Sequence, residues 1–401
     1  MTAGFGRDRL TWIAYVMLAW FAYLQAAPGL VVAYLRDELD LSYSTGGLHV
    51  AAFAAGSMGA GVVSAWLERA LGRRTLLWSA AAVMGAGTIG LTAGRIAAVT
   101  VGAALVMGFG GGLLLATIQA ALADHHGEYR AVALAEANVA ASFSYVVLIG
   151  VLSLTAVLHA GWRVALLASL TVPVLAWWCN RGLAIDAPPQ SRLPQGRLPG
   201  VFWIAAAMLF SMTAAEWCVT AWGATFVEDA TDVSTDTAVA LMVGYFGGVL
   251  AGRVLGSQLA RRHDPMRLLA LALAITAAGF AVLWPSTGPA QALIGLSLLG
   301  IGLGNLFPMG MSVTVALAPE RAVLASGRAV AVTSFAVLLA PLTVGTLADL
   351  TSLTAAFGVV PVALALAAVG LMLVRRARLR GASAPAPGGA VDRNGRGRRT
   401  L

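Results

Sequence analysis

Four ionisable residues, Glu136, Glu216, Arg253 and Arg328, interrupt runs that are otherwise apolar. At the centre of a bilayer such a charge costs about 2.5–3.5 kcal/mol on insertion scales, so it must be paired, hydrated or put to use. A carboxylate there can carry a proton or hold a cation, and a guanidinium can receive an anion. Glu216 lies roughly a dozen residues from either end of its run, the deepest placement that about 20 residues per crossing allow. Thr213 and Thr220, at i−3 and i+4, share its helical side and make a polar stripe suited to a water-filled cavity. Trp217 adds a ring for stacking. Glu136 follows Arg130 and Arg253 precedes Arg261 by similar counts, which sets both about two helical turns inside their runs. Arg328 has no acid so clearly placed; Glu68 and Glu320 are the available choices. Asn305, with Pro308 and Ser312 on its side, can hydrogen-bond a substrate or a neighbouring helix.

The elements that hold these residues follow from composition. Of 401 residues, 59% are hydrophobic and 11% charged, with mean hydropathy +0.82. That leaves too little polar surface to coat a soluble globule, so the chain reads as an integral membrane protein. Apolar runs near 10–35, 46–67, 75–94, 97–121, 131–157, 162–180, 200–227, 237–260, 267–285, 290–316, 322–347 and 354–374 give twelve expected spans. Backbone amides in lipid must be satisfied within the segment, so all are helices. The expected fold is an all-α membrane protein of two six-helix bundles, 1–180 and 200–376. A linker with four prolines, 181–199, joins them, and a disordered tail, 377–401, follows. The first run is too long for a cleaved leader and reads as a span.

All 26 basic residues are Arg. Of these, 21 gather at 7–9, 69–74, 130, 181–197, 261–267, 321 and 375–399, against Arg36, Arg95 and Arg163 in the alternate loops, where Asp37, Glu38, Asp40, Glu228, Asp229, Asp232 and Asp236 also fall. The positive-inside rule then puts both termini in the cytoplasm of a cell whose cytoplasmic membrane holds the chain. The net charge of +8 thus reports topology and not nucleic-acid binding. Cys179 and Cys218 lie in different spans and form no framework. His125 and His126 make a loop pair with no further ligand in sequence, so no metal is expected. His49, near the outer end of span two, is a group that would titrate near neutrality if exposed.

The sequence repeats itself at an offset of 192 positions, as from Gly56 to Gly248. Leu76-Leu77 recurs at Leu268-Leu269, Gly108/Gly110/Gly112 at Gly300/Gly302/Gly304, and Ser142-Phe143 at Ser334-Phe335. A duplicated membrane half is a hallmark of transporters. The repeat breaks where Leu24 faces Glu216, Gly61 faces Arg253 and Glu136 faces Arg328.

Twelve spans, a central linker, a basic loop Glu68-Arg69-Ala70-Leu71-Gly72-Arg73-Arg74 and a Gly161-Trp162-Arg163 corner together resemble the major facilitator superfamily. The loop has one residue more than the family signature and Glu in place of Asp. The resemblance implies secondary active transport of a small organic solute by alternating access, coupled to protons. It places spans one and seven around a central cavity, where the offset sets Gln25 opposite Trp217 and makes it the expected companion of Glu216. It makes spans five and eight neighbours, so Glu136–Arg253 is the expected salt bridge between halves, with Glu68, Arg69, Arg73 and Arg328 in the gate network. It also sets the small-residue stripes Ala52/Gly56/Ala60/Ser64 and Gly244/Gly248/Gly252/Gly256 at the seam between halves. Trp222, nearer the outer end of its span, reads as part of the aromatic belt. Uptake of a sugar-like solute is the first reading; efflux of drugs or metabolites by proton antiport is the alternative, and a non-transporting sensor is the alternative of another class. No cofactor is expected, no enzyme constellation is present, and a monomer in the lipid bilayer is the expected form.

Overall fold

The computed structural model describes residues 5–185, 196–260 and 262–382. Among these are α1 (Arg9–Leu39), α2 (Tyr43–Leu71), α3 (Arg73–Ala93), α4 (Ala97–His126), α5 (Arg130–Val157), α6 (Trp162–Ser169) and α7 (Thr171–Asn180). After the linker come α8 (Gly200–Thr231), α9 (Thr235–Leu259), α10 (Pro265–Leu283), α11 (Pro289–Val315), α12 (Ala322–Leu350), α13 (Leu353–Ala356) and α14 (Val359–Ala382). The apolar stretch Ala97–Val157 folds back at a 3-10 turn, Gly127–Tyr129, so eleven membrane-length stretches make twelve crossings. Span six is α6 and α7, interrupted at Leu170, and span twelve is α13 and α14.

Local signals set the helix ends, and the repeat carries them over. Ser42 caps α2 through the Thr45 amide, and its counterpart Ser234 caps α9 through the Thr237 amide. Each hydroxyl satisfies an amide that the first turn leaves free. The preceding helices stop at Asp40 and Asp232, again 192 apart, both in left-handed backbone with φ 51° and 52°. Short polar side chains tolerate this conformation better than branched ones.

Packing inside each half follows the same rule atom by atom. A Cβ on Gly56 would lie 2.1 Å from the Leu105 carbonyl, and one on Gly248 2.5 Å from the Ser297 carbonyl. Gly108 would meet the Phe53 carbonyl at 2.0 Å and Gly300 the Tyr245 carbonyl at 2.1 Å. These contacts join α2 to α4 and α9 to α11. The small-residue stripes therefore lie within the halves and not at the seam, a correction to the expected placement. The reason is that lipid gives no hydrophobic drive between helices, so backbone-close dispersion contacts are needed first where spans of one half pack.

Burial separates central from peripheral spans. In the most apolar window of α1, 83% of residues are buried, and in that of α8 61%, against 22% for Trp162–Asn180. Helices α1 and α8 thus fill the axis between the bundles, and α6–α7 face outward. Trp222 on α8 belongs to this core: it is fully buried and donates from Nε1 to the Pro341 carbonyl at 2.9 Å, so it is not a belt residue. His49 is likewise buried, bonded to Thr45 and Thr100. The final helix runs six residues past 376, to Ala382, with Arg378 donating to the Val313 carbonyl at 3.1 Å. The expected disorder of the remaining tail, and the middle of the linker, lie outside the described residues.

Candidate functional site

The two ends of the molecule differ. At the acid-rich end the bundles are bonded across the seam: the Tyr43 and Ser44 amides donate to Asp349 at 2.7 and 2.8 Å. The Tyr43 hydroxyl donates to Asp229 at 2.9 Å and the Tyr34 hydroxyl to Asp236 at 2.7 Å. The Arg36 guanidinium lies 3.6 Å from the centre of the Tyr43 ring. Backbones touch here as well, since a Cβ on Gly29 would sit 2.3 Å from the Thr220 carbonyl and one on Gly345 2.6 Å from the Tyr43 carbonyl. Towards the Arg-rich end the seam loosens, and no residue of α2 beyond Ala60 is buried.

Beneath that seal, on the axis, is a cavity of about 20 Å³ lined by Gln25, Ala26, Tyr145, Glu216, Trp217, Thr220, Tyr245, Phe246 and Val249. A space of this size holds about one water. Four helices contribute: α1, α5, α8 and α9. Glu216, Trp217 and Gln25 are half-buried, and Tyr245 and Phe246 are buried. The Tyr145 hydroxyl donates to Gln25 Oε1 at 3.3 Å, which leaves the Gln25 amide nitrogen free to donate. Thr220 donates to the Glu216 backbone carbonyl at 2.9 Å and bonds the Tyr245 hydroxyl at 2.9 Å. The Glu216 carboxylate itself has no hydrogen bond or ion pair among the described residues. A carboxylate, an amide and four aromatic rings thus converge on one small space.

Other sequence candidates fall elsewhere. Thr213 is buried without a hydrogen-bond partner for its hydroxyl and does not line the cavity. Positions i−3 and i+4 differ by only about 20° around a helix but by about 10 Å along it, and the cavity reaches the level of Thr220 and not that of Thr213. Asn305 donates to the Gly252 carbonyl at 2.8 Å and to the Ile301 carbonyl at 3.1 Å, which makes it a tie between α11 and α9 and not a cavity residue. The expected Glu136–Arg253 bridge is absent from this structure. Glu136 is held by Arg7, from Nε at 2.8 Å and from Nη2 at 2.6 Å, and by the Tyr15 hydroxyl at 3.1 Å. Arg253 does cross the seam, but to the buried Ser142 hydroxyl at 2.6 Å. Ser142 lies six residues deeper than Glu136, about 9 Å along the helix, so depth counted from helix ends mismatched the two halves.

Arg328 is exposed and has no ion pair among the described residues. In the basic loop Arg73 is buried, bonded to Glu68 at 2.8 Å and to Asp124 of α4 at 2.9 Å, while Arg69 only returns to the Ala65 carbonyl. Sequence reasoning missed Tyr145, Tyr245 and Phe246 as cavity residues, and Arg7 and Asp124 as ion partners. Tyr145 carried a signal: it is a hydroxyl inside an apolar span, two residues after the Ser142-Phe143 segment that the repeat preserves.

Two bundles of membrane-length helices around a polar cavity on their common axis define a solute-transporter architecture. The chain belongs to the Major Facilitator Superfamily, whose profile matches residues 11–322 and, in a second overlapping match, 206–397. No curated protein sequence matches it. Among solved structures it is similar to a bacterial homolog of the human lysosomal transporter Spinster, inward-facing and occupied. That likeness has TM-score 0.74 and 13% identity and covers 96% of this chain and 100% of that one. It is similar to a D-xylose–proton symporter at TM-score 0.74 and 17% identity, covering 91% and 95%. A mutant of the nucleoside transporter NupG gives TM-score 0.74 and 11% identity, covering 92% and 99%. At these identities the likeness is one of fold. The protein is a membrane transporter and not an enzyme.

Proposed function

We propose that this transporter moves a small organic solute by alternating access, driven by protons that bind at Glu216. The observation that carries the reading is the unpartnered Glu216 carboxylate at the centre of the molecule, beside room for about one water. A carboxyl group in dry surroundings favours its neutral form, and contact with water on one side favours release. A site that alternates between those surroundings therefore moves a proton with each cycle. Because the acid-rich end is sealed and carries few Arg, it is assigned to the outside, and this state opens toward the cytoplasm. Both termini are then cytoplasmic.

A sugar-like solute fits the Gln25 amide, the Glu216 carboxylate and the Trp217 ring, which can bond and stack on a polyol. The cavity must widen from its present size to admit it, which the loose seam at the Arg-rich end permits. The D-xylose–proton symporter and the nucleoside transporter of similar fold are named for solutes that also carry sugar rings. A second reading, export of an organic cation, is favoured by the rings of Tyr145, Trp217, Tyr245 and Phe246 around one carboxylate.

Thermal unfolding of the purified protein and of Glu216→Gln against sugars, nucleosides and organic amines separates the two, because a ligand of the native fold raises apparent stability. Sugar-like binding is expected to raise the melting temperature of the wild type by several degrees. An amine that stabilises the wild type but not Glu216→Gln, with no sugar acting, would replace the first reading by the second.

A further inference from the structure

The geometry points to a binding site for one divalent transition-metal ion at the Arg-rich end of the first bundle, formed by Asp8, His125 and His126. In sequence the two histidines stand alone. In the fold the end of α4 meets the start of α1, and one ligand atom from each of the three residues lies within 4.8 Å of the others. His125 Nε2 is 2.8 Å from Asp8 Oδ2. His126 Nε2 is 2.8 Å from Thr11 Oγ1, which in turn donates to Asp8 Oδ1 at 2.6 Å.

Asp8 divides its work between its two oxygens. Oδ1 caps α1 by accepting from the Thr11 amide at 3.0 Å, and Oδ2 is turned to the histidines. Partial burial pushes the Asp8 carboxyl up, but the Thr11 hydrogen bonds and the neighbouring His125 outweigh it and hold it below its ordinary range. It is therefore an anionic ligand at neutral pH.

Two imidazoles and a carboxylate suit zinc and its first-row neighbours better than magnesium or calcium, which prefer all-oxygen shells. Bonds of about 2.0–2.2 Å place tetrahedral ligand atoms about 3.3–3.5 Å apart. The His125–Asp8 pair need open only slightly to admit the ion, and the His126 ring must swing in. The Phe5 ring, 5.0 Å from the His126 ring, backs that imidazole. A groove of about 480 Å³, bounded by Phe5, Gly6, Arg7 and Tyr129, leaves the fourth position open to water. Arg7, which also lines the groove, has its guanidinium bound to Glu136. A metal here would pin α1 to α4 beside the mouth of the cytoplasmic opening. This assignment stands on its own geometry and does not depend on which solute Glu216 serves.

The test uses the full chain without a polyhistidine tag, stripped with chelator and titrated with Co²⁺, whose visible absorption reports imidazole and carboxylate ligation. The wild type is expected to bind one equivalent with the bands of a low-symmetry, four- or five-coordinate ion. Asp8→Asn keeps an N-cap acceptor and so keeps the helix start. It should bind at least tenfold more weakly, as should the double variant His125→Ala, His126→Ala, both with unchanged metal-free melting temperatures. Zn²⁺ should displace the Co²⁺ and raise the melting temperature of the wild type only. A wild type that takes up no Co²⁺, or variants that bind it as tightly as the wild type through His49, His159 or His263, would overturn the assignment.

Discussion

The two ends of the seam between the bundles are built from different chemistry. At the acid-rich end, glycines let backbones touch and Asp349 of α12 supplies the acceptor for the first amides of α2 in the opposite half. At the Arg-rich end the charges are satisfied within one half, Arg7 with Glu136 and Arg73 with Glu68 and Asp124. A seal that joins halves must break for the site to open on that side, whereas bonds within a half travel with it. The ionic networks at the Arg-rich end thus stabilise a bundle as a rigid body, and the Arg253–Ser142 bond is a polar tie that does cross the seam on that side.

The largest expected effect comes from the point of closest approach. Gly29→Val sets a branched side chain where even a Cβ would lie 2.3 Å from the Thr220 carbonyl, a backbone atom that cannot turn aside. The seal at the acid-rich end should fail, and labelling of an introduced cysteine beside the cavity by an impermeant reagent applied to that side should rise at least about tenfold, with transport lost. Labelling as slow as in the parent would break the comparison at its strongest point. Asp349→Ala should act in the same direction and less. Loss of an N-cap acceptor costs about 0.5–2 kcal/mol, which raises labelling from that side by roughly 2- to 30-fold. Glu136→Gln should do least. Its ion pair with Arg7 is largely exposed, where water and salt screen it, so transport should stay within a few-fold of wild type. A complete loss of transport there would restore Glu136 to an inter-bundle gate in another state of the cycle.

The same comparison shows what was legible in the sequence. Spans and their ends are governed by local composition and by a repeat that the structure follows to the level of individual carbonyls, so they could be read without coordinates. The glycine stripes themselves were visible, but not their partners, because a small face says only that some helix comes close. The offset set Gln25 opposite Trp217, next to Glu216, and the structure has all three line one cavity. Glu136 was matched to the wrong arginine because depth along one helix does not fix depth along another in a different half. Its actual partner, Arg7, lies outside any span, where no periodicity points. Asn305 turns on tens of degrees of helix rotation and Thr213 on depth along α8, which packing decides and a single sequence does not record.

The central claim is that Glu216 carries the coupling proton through the cavity that the outer seal closes. Its most direct test is solute accumulation in liposomes holding purified wild type or Glu216→Gln, with an imposed pH gradient as the only driving force, beside solute exchange with no gradient. The wild type should concentrate solute and the variant should not, while the variant still exchanges solute down its own gradient. A Glu216→Gln protein that concentrates solute as steeply as the wild type would contradict the account.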